Sequence, residues 1–95
     1  MLEVVELEPA VERAAQFFSA WNRDVLSDPR TQVVHNDARN HLLLAGRGSY
    51  DLVVSEPSNP WIAGVASLFT REFLELGKSR LKPGGVWSQW IRFTA

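Results

Sequence analysis

Glu6, Glu8, Asp37, Glu56, Asn59 and Gln89 are acid or amide side chains that sit within or just after apolar stretches. A carboxylate at the end of a strand that opens a strand–helix unit can accept hydrogen bonds from both hydroxyls of a ribose, and Glu6 or Glu8 has the place for that task. The alternative for both is a solvated charge favoured by the dipole at a helix N-terminus. Asp37 precedes a leucine-rich helical segment, so it is either the cap of that helix or an acceptor for an adenine amino group. Glu56 follows the apolar run Leu52-Val53-Val54 and precedes Pro57. A carboxylate there is expected to be partly desolvated and available to an amine, with a surface charge as the alternative.

Composition narrows the classes. The 95 residues hold 10 Lys+Arg against 11 Asp+Glu, a formal charge of -1, with 45% hydrophobic residues. That is the arithmetic of one small globular domain. The balance offers no basic stripe to drive counterion release, so no nucleic-acid partner is expected. No apolar run reaches the roughly 18 residues of a membrane span, and Met1-Leu2-Glu3 opens no signal segment, so neither a membrane nor secretion is expected. With no cysteine and with two separate histidines, His35 and His41, no metal site is expected and the compartment read is the cytoplasm.

The elements that must position the acids follow from patterning. Leu2 to Glu8 is β-rich and ends at Pro9, which suits a first helical turn. Val11, Ala14, Ala15, Phe18, Trp21 and Val25 recur at helical spacing and predict one buried face. Ser27-Asp28-Pro29-Arg30 is a turn, Thr31 to His35 a second strand, and Asp37 the cap of a short helix over 38–45. Tyr50 to Ser55 is a third strand whose apolar centre predicts burial on both faces. A proline- and glycine-rich loop follows, then a helix over 67–80 with Leu68, Phe69, Phe73 and Leu76 inward. Lys82-Pro83-Gly84-Gly85 is read as a turn before a fourth strand over 86–93.

The order β-α-β-α-β-α-β with short connections predicts an α/β layer fold with a parallel sheet. In such sheets ligands bind beyond the carboxyl ends of the strands. Those ends carry Glu6 to Glu8, Asn36 and Asp37, Ser55 to Asn59, and Gln89. Trp61, Trp87, Trp90 and Phe69 read as core or loop anchors, His35 and His41 as structural or exposed, and Arg39 and Arg71 as surface charges.

Five stretches, in order, resemble the spermidine synthase family of polyamine aminopropyltransferases. Val5-Glu6-Leu7-Glu8-Pro9 is similar to the family's Val-Glu-Ile-Asp segment. Asp28-Pro29-Arg30 with Val33-Val34-His35-Asn36-Asp37-Ala38 resembles its Asp-Pro-Arg and Gly-Asp-Gly or Gly-Asp-Ala segments. Tyr50-Asp51-Leu52-Val53-Val54 leads to Glu56-Pro57-Ser58-Asn59-Pro60, which falls where the family has Asp-Ser-Ser-Asp-Pro. Leu68 to Phe73, then Leu81-Lys82-Pro83-Gly84-Gly85 and Gln89, complete the series.

The resemblance implies a Rossmann-like fold of the class I methyltransferase type. It implies that Glu6 holds a ribose diol, that Asp37 meets the adenine amino group beside the Ala38 backbone, and that Glu56 is catalytic. Asn59 and Gln89 then lie at the substrate amine. The implied reaction moves an aminopropyl group from decarboxylated S-adenosylmethionine to an amine such as putrescine, without a metal. A methyltransferase using intact S-adenosylmethionine and a noncatalytic interaction module are the alternatives. Glu56 is one methylene longer than the family's aspartate, and Asn59 removes its second negative charge, which weakens attraction for a dicationic amine.

The family's glycine-rich loop and the strand before it have no counterpart in these residues. The expectation is therefore a partial parallel sheet with flanking helices over 1–95, a fragment of the catalytic domain inactive by itself. Its unpaired edges would seek a missing N-terminal segment or a second copy.

Overall fold

The computed structural model describes residues 1–56 and 66–91. It is a mixed α/β chain in two compact units, Met1–His41 and the residues from Leu42 onward. Each holds one pair of parallel strands. No helix among the described residues is long and apolar enough to cross a membrane.

In the first unit β1 (Leu2–Val5) pairs in parallel with β2 (Thr31–Val34), with Leu2 opposite Thr31 and Val5 opposite Val34. Helix α1 (Pro9–Ala15) begins where the proline requires, at the first helical position, and the Glu8 carboxylate caps it by accepting from Ala10 N–H at 3.0 Å. A 3-10 turn (Gln16–Phe18) and a short α2 (Ser19–Asn22) continue the path. The chain then reverses through two left-handed residues, Arg23 and Asp24, at φ 56° and 53°. Asn22 stabilises this unusual pair from both ends of its amide. Its Nδ2 donates to Ala15 O at 3.0 Å, and its Oδ1 accepts from Asp24 N–H at 2.8 Å.

The buried face expected of this helical region does not form. Val11, Phe18 and Trp21 are 52%, 59% and 79% exposed, and Val25 is exposed as well. Helical spacing states which side chains share a face, but burial needs an apolar surface opposite, and two four-residue strands supply little.

In the second unit β3 (Tyr50–Ser55) pairs in parallel with β4 (Leu81–Gln89). Helix α3 (Ala38–Leu44) runs across the division between the units, and its Leu42 is buried. A 3-10 turn (Ala66–Phe69) stops at Thr70, whose Oγ1 accepts from Phe73 N–H at 3.1 Å and starts α4 (Arg71–Arg80). The single helix expected over 67–80 is thus broken by its own N-cap. Phe73 and Gly77, one turn apart on α4, are buried, and the Trp87 ring meets Phe73 edge-on at 5.6 Å between centroids. Arg80 Nε donates to Leu42 O at 2.8 Å, satisfying a carbonyl in the last turn of α3.

Three expectations for this sheet are corrected. Lys82 to Gly85 does not precede the strand but lies within β4 as an irregular excursion, because Tyr50 pairs with Leu81 and Leu52 already with Val86. Gly84 turns the excursion at φ +80°. β3 is also not covered on both faces: Leu52 and Val54 are exposed, and Val53 and Ser55 are half-buried. Among the described residues of this unit, α4 packs on the Trp87 face of the pair through Phe73 and Gly77. β4 ends at Gln89, short of the strand expected over 86–93, and Trp90, read as a core or loop anchor, is exposed, as is Ile91; Phe93 lies outside the described residues.

Candidate functional site

Parallel pairing brings the carboxyl ends of β1 and β2 side by side. Glu6 directly follows β1, and its backbone N–H extends the ladder to Val34 O at 2.9 Å. Its half-buried carboxylate accepts from Glu8 N–H through Oε1 at 3.1 Å. Glu6 and Glu8, equivalent by sequence, therefore differ: Glu8 is exposed and committed to capping α1, whereas Glu6 sits at the strand end with Oε2 free of bonds from the described residues.

Asp37 stands at the cap position of α3. Its Oδ1 accepts from Arg39 N–H at 2.7 Å, its carbonyl accepts from His41 N–H at 2.9 Å, and its own N–H donates to Asn36 Oδ1 at 2.8 Å. The structural role foreseen for Asp37 is realised, and Oδ2 retains acceptor capacity. Ala38 opens α3, a position whose N–H has no partner within a helix. Glu6, Asp37 and Ala38 thus share one end of the β1–β2 pair.

Two histidine–carboxylate contacts that sequence spacing does not reveal tie elements of this unit together. His41 Nε2 lies 2.5 Å from Glu3 Oε1, tying α3 to β1, and His35 Nε2 lies 2.5 Å from Glu12 Oε2, tying the end of β2 to α1. The Asp28-Pro29-Arg30 motif is a third lock. Asp28 accepts from Arg30 Nε and Nη2, both at 3.0 Å, and from Arg30 N–H at 2.8 Å. The Arg30 guanidinium first, and its backbone N–H second, hold the Asp28 carboxyl below its ordinary value of 3.8. The Asp28 carboxylate in turn holds the Arg30 guanidinium above its usual value.

At the end of the β3–β4 pair, Ser55 lies opposite Gln89, and Trp90 N–H donates to Ser55 O at 2.9 Å. Gln89 is half-buried; its Oε1 accepts from Trp87 Nε1–H and its Nε2 donates to Trp90 O, each at 3.1 Å. Glu56 follows Ser55 and is exposed, which corrects the expected desolvation, and its carboxylate accepts no hydrogen bond from the described residues. Asn59 and Trp61 lie outside the described residues. Among those residues no cluster of three or more His, Cys, Asp or Glu side chains is arranged to hold a metal ion. A depression of about 40 Å³ lined by Glu12, Asn22 and Asp24 has room for a water or two, not for a nucleoside.

The described residues form two short parallel strand pairs with acids or an amide at or just beyond their carboxyl ends, the side on which open α/β sheets bind ligands. Residues 1–90 match the family model described as the spermine/spermidine synthase domain, and the chain belongs to that family. It is 32% identical over 81 residues to a polyamine aminopropyltransferase of Aeropyrum pernix, covering 84% of this chain and 26% of that protein. It is 39% identical over 85 residues to polyamine aminopropyltransferase 1 of Streptomyces coelicolor, covering 86% of this chain and 16% of that protein. Putrescine N-methyltransferase 3 of Nicotiana tabacum is 32% identical over 85 residues, 90% of this chain and 22% of that protein. The chain spans about a quarter or less of the length of these relatives.

Proposed function

We propose that residues 1–95 are part of the catalytic domain of an aminopropyltransferase acting on a small polyamine, with decarboxylated S-adenosylmethionine as donor. The observation that carries the reading is that Glu6 and Asp37 follow the neighbouring carboxyl ends of β1 and β2, in a chain of this family. Each carboxylate retains an oxygen that the described residues do not bond, which suits a ribose diol at Glu6 and an adenine amino group at Asp37.

The fold proposed is the methyltransferase-type sheet of order 3-2-1-4-5, in which β1 and β2 are its strands 2 and 3, and β3 and β4 its strands 4 and 5. Both observed parallel pairings are pairs of neighbours in that order. The central strand and its glycine-rich loop would come from outside these residues, so the 95 residues alone would not turn over substrate.

In this reading Glu56 takes a proton from the ammonium of the acceptor. The freed lone pair forms a C–N bond at the methylene carbon next to the sulfonium, the C–S bond breaks, and methylthioadenosine leaves. The exposure of Glu56 agrees with a base that hands its proton on to water. Methyl transfer from intact S-adenosylmethionine is the second reading, favoured by the likeness to a putrescine N-methyltransferase.

One experiment separates these readings. The full-length protein is assayed with putrescine and each of the two sulfonium donors, alongside Glu56→Gln. Turnover is expected with the decarboxylated donor, with a loss of about 100-fold or more in Glu56→Gln and nucleoside binding retained. Turnover with the intact donor alone would assign methyl transfer, and full activity of Glu56→Gln would remove Glu56 from the chemistry.

A further inference from the structure

We infer that Trp87 is a positioning residue whose indole N–H fixes the amide of Gln89 in the one orientation that presents a free oxygen lone pair to the substrate amine. The inference rests on the reading that Gln89 borders the amine site. Two residues apart on β4, Trp87 and Gln89 share a face. The indole N–H can only donate, so the amide atom 3.1 Å from it is the oxygen. The Trp90 carbonyl can only accept, so the amide atom 3.1 Å from it is the nitrogen. Both neighbours therefore require the same orientation, and a flipped amide would set donor against donor and acceptor against acceptor. Among the described residues, one lone pair on Oε1 and one N–H on Nε2 take no further partner.

Trp87 is itself held. A side chain at Gly77 would place its Cβ 2.1 Å from the indole Cζ3, so the glycine opens a seat for the ring in a helix interior that glycine otherwise weakens. Phe73, buried beneath, meets the ring at 78°. The chain from Phe73 and Gly77 through Trp87 to Gln89 runs from the apolar core of this unit to the rim at the end of β4. A tryptophan needed for packing alone would be satisfied by any carbonyl; this one is bonded to the rim amide.

The test uses the full-length protein with putrescine as the amine. Trp87→Phe keeps an aromatic ring in the seat and removes the N–H. The KM for putrescine should rise about fivefold, the scale of one neutral hydrogen bond, with kcat and methylthioadenosine affinity unchanged. Gln89→Ala should raise the same KM, and Trp87→Phe should add nothing in that background. An unchanged KM in Trp87→Phe, or effects that multiply in the double variant, would overturn the inference.

A nuclear magnetic resonance readout separates its failure from that of the underlying reading. Gln89→Leu leaves the seat of Trp87 intact and should make its indole N–H exchange faster with solvent; an unchanged exchange rate overturns the lock itself. Wild-type protein that neither binds nor uses putrescine overturns the amine reading, and with it the role toward substrate.

Discussion

The first unit has no fully buried side chain and is tied by polar contacts: Glu3 with His41, Glu12 with His35, and Asp28 with Arg30. The second has Leu42, Phe73 and Gly77 buried, with Trp87 packed on the helix. The difference reappears at the two strand ends. Glu6 and Asp37 are held by backbone N–H groups two residues away, whereas Gln89 is held by a side chain anchored to an apolar core. Local turns suffice to aim a carboxylate at the end of a strand; aiming an amide took a tryptophan, a glycine and a phenylalanine.

The largest effect should come from breaking the apolar side of this comparison. Phe73→Ala leaves a cavity beneath Trp87 and should cost about 3 to 5 kcal/mol of stability, read from urea unfolding of the full-length protein. A loss under about 1 kcal/mol would mean that the second unit is not organised around this ring. On the polar side, His41→Ala leaves Glu3 without its imidazole partner at a half-buried position and should cost about 1 to 2 kcal/mol. The loss should appear as faster hydrogen exchange in β1 and α3, with β3 and β4 unaffected. Uniform acceleration would contradict the division of labour.

Helix capping at Asp37 was legible because the bond closes within two residues, so residue type and position suffice. β3 was legible because its apolar run is short, rich in β-branched residues and bounded by turn residues, which together favour a strand over a helix. The face of Val11, Phe18 and Trp21 was not, because periodicity carries no information on what lies opposite. Nor was the bond from His41 to Glu3, whose partners lie 38 residues apart. The turn chemistry of Lys82 to Gly85 was read correctly but misplaced: a parallel strand can absorb a turn as an excursion and resume its register. At the candidate site, residue types marked the strand ends. They did not reveal that Glu8 would be spent on capping α1 while Glu6 stays at the strand end.

The smallest effect concerns acid. A carboxyl whose folded value is depressed contributes stability that is fully present above its unfolded value and is lost as the pH falls through the folded one. Asp28 is such a group, so the turn before β2 should loosen only as the pH drops below about 4, and Asp28→Asn should remove that dependence. Amide shifts of Arg30 and Thr31 followed from pH 5 downward, values set by the carboxylate range, read it directly. Salt should weaken this surface pair further. Shifts that move only at neutral pH would show that another group controls the turn.

The most direct test of the central claim is the affinity of the full-length protein for methylthioadenosine, measured by calorimetry with and without the Glu6 carboxylate. If the end of the β1–β2 pair grips a nucleoside, Glu6→Ala should weaken binding by about 1.5 to 3 kcal/mol, the scale of charge-assisted hydrogen bonds, while Glu8→Ala should leave the affinity nearly intact. Equal affinities for wild type and Glu6→Ala would contradict it.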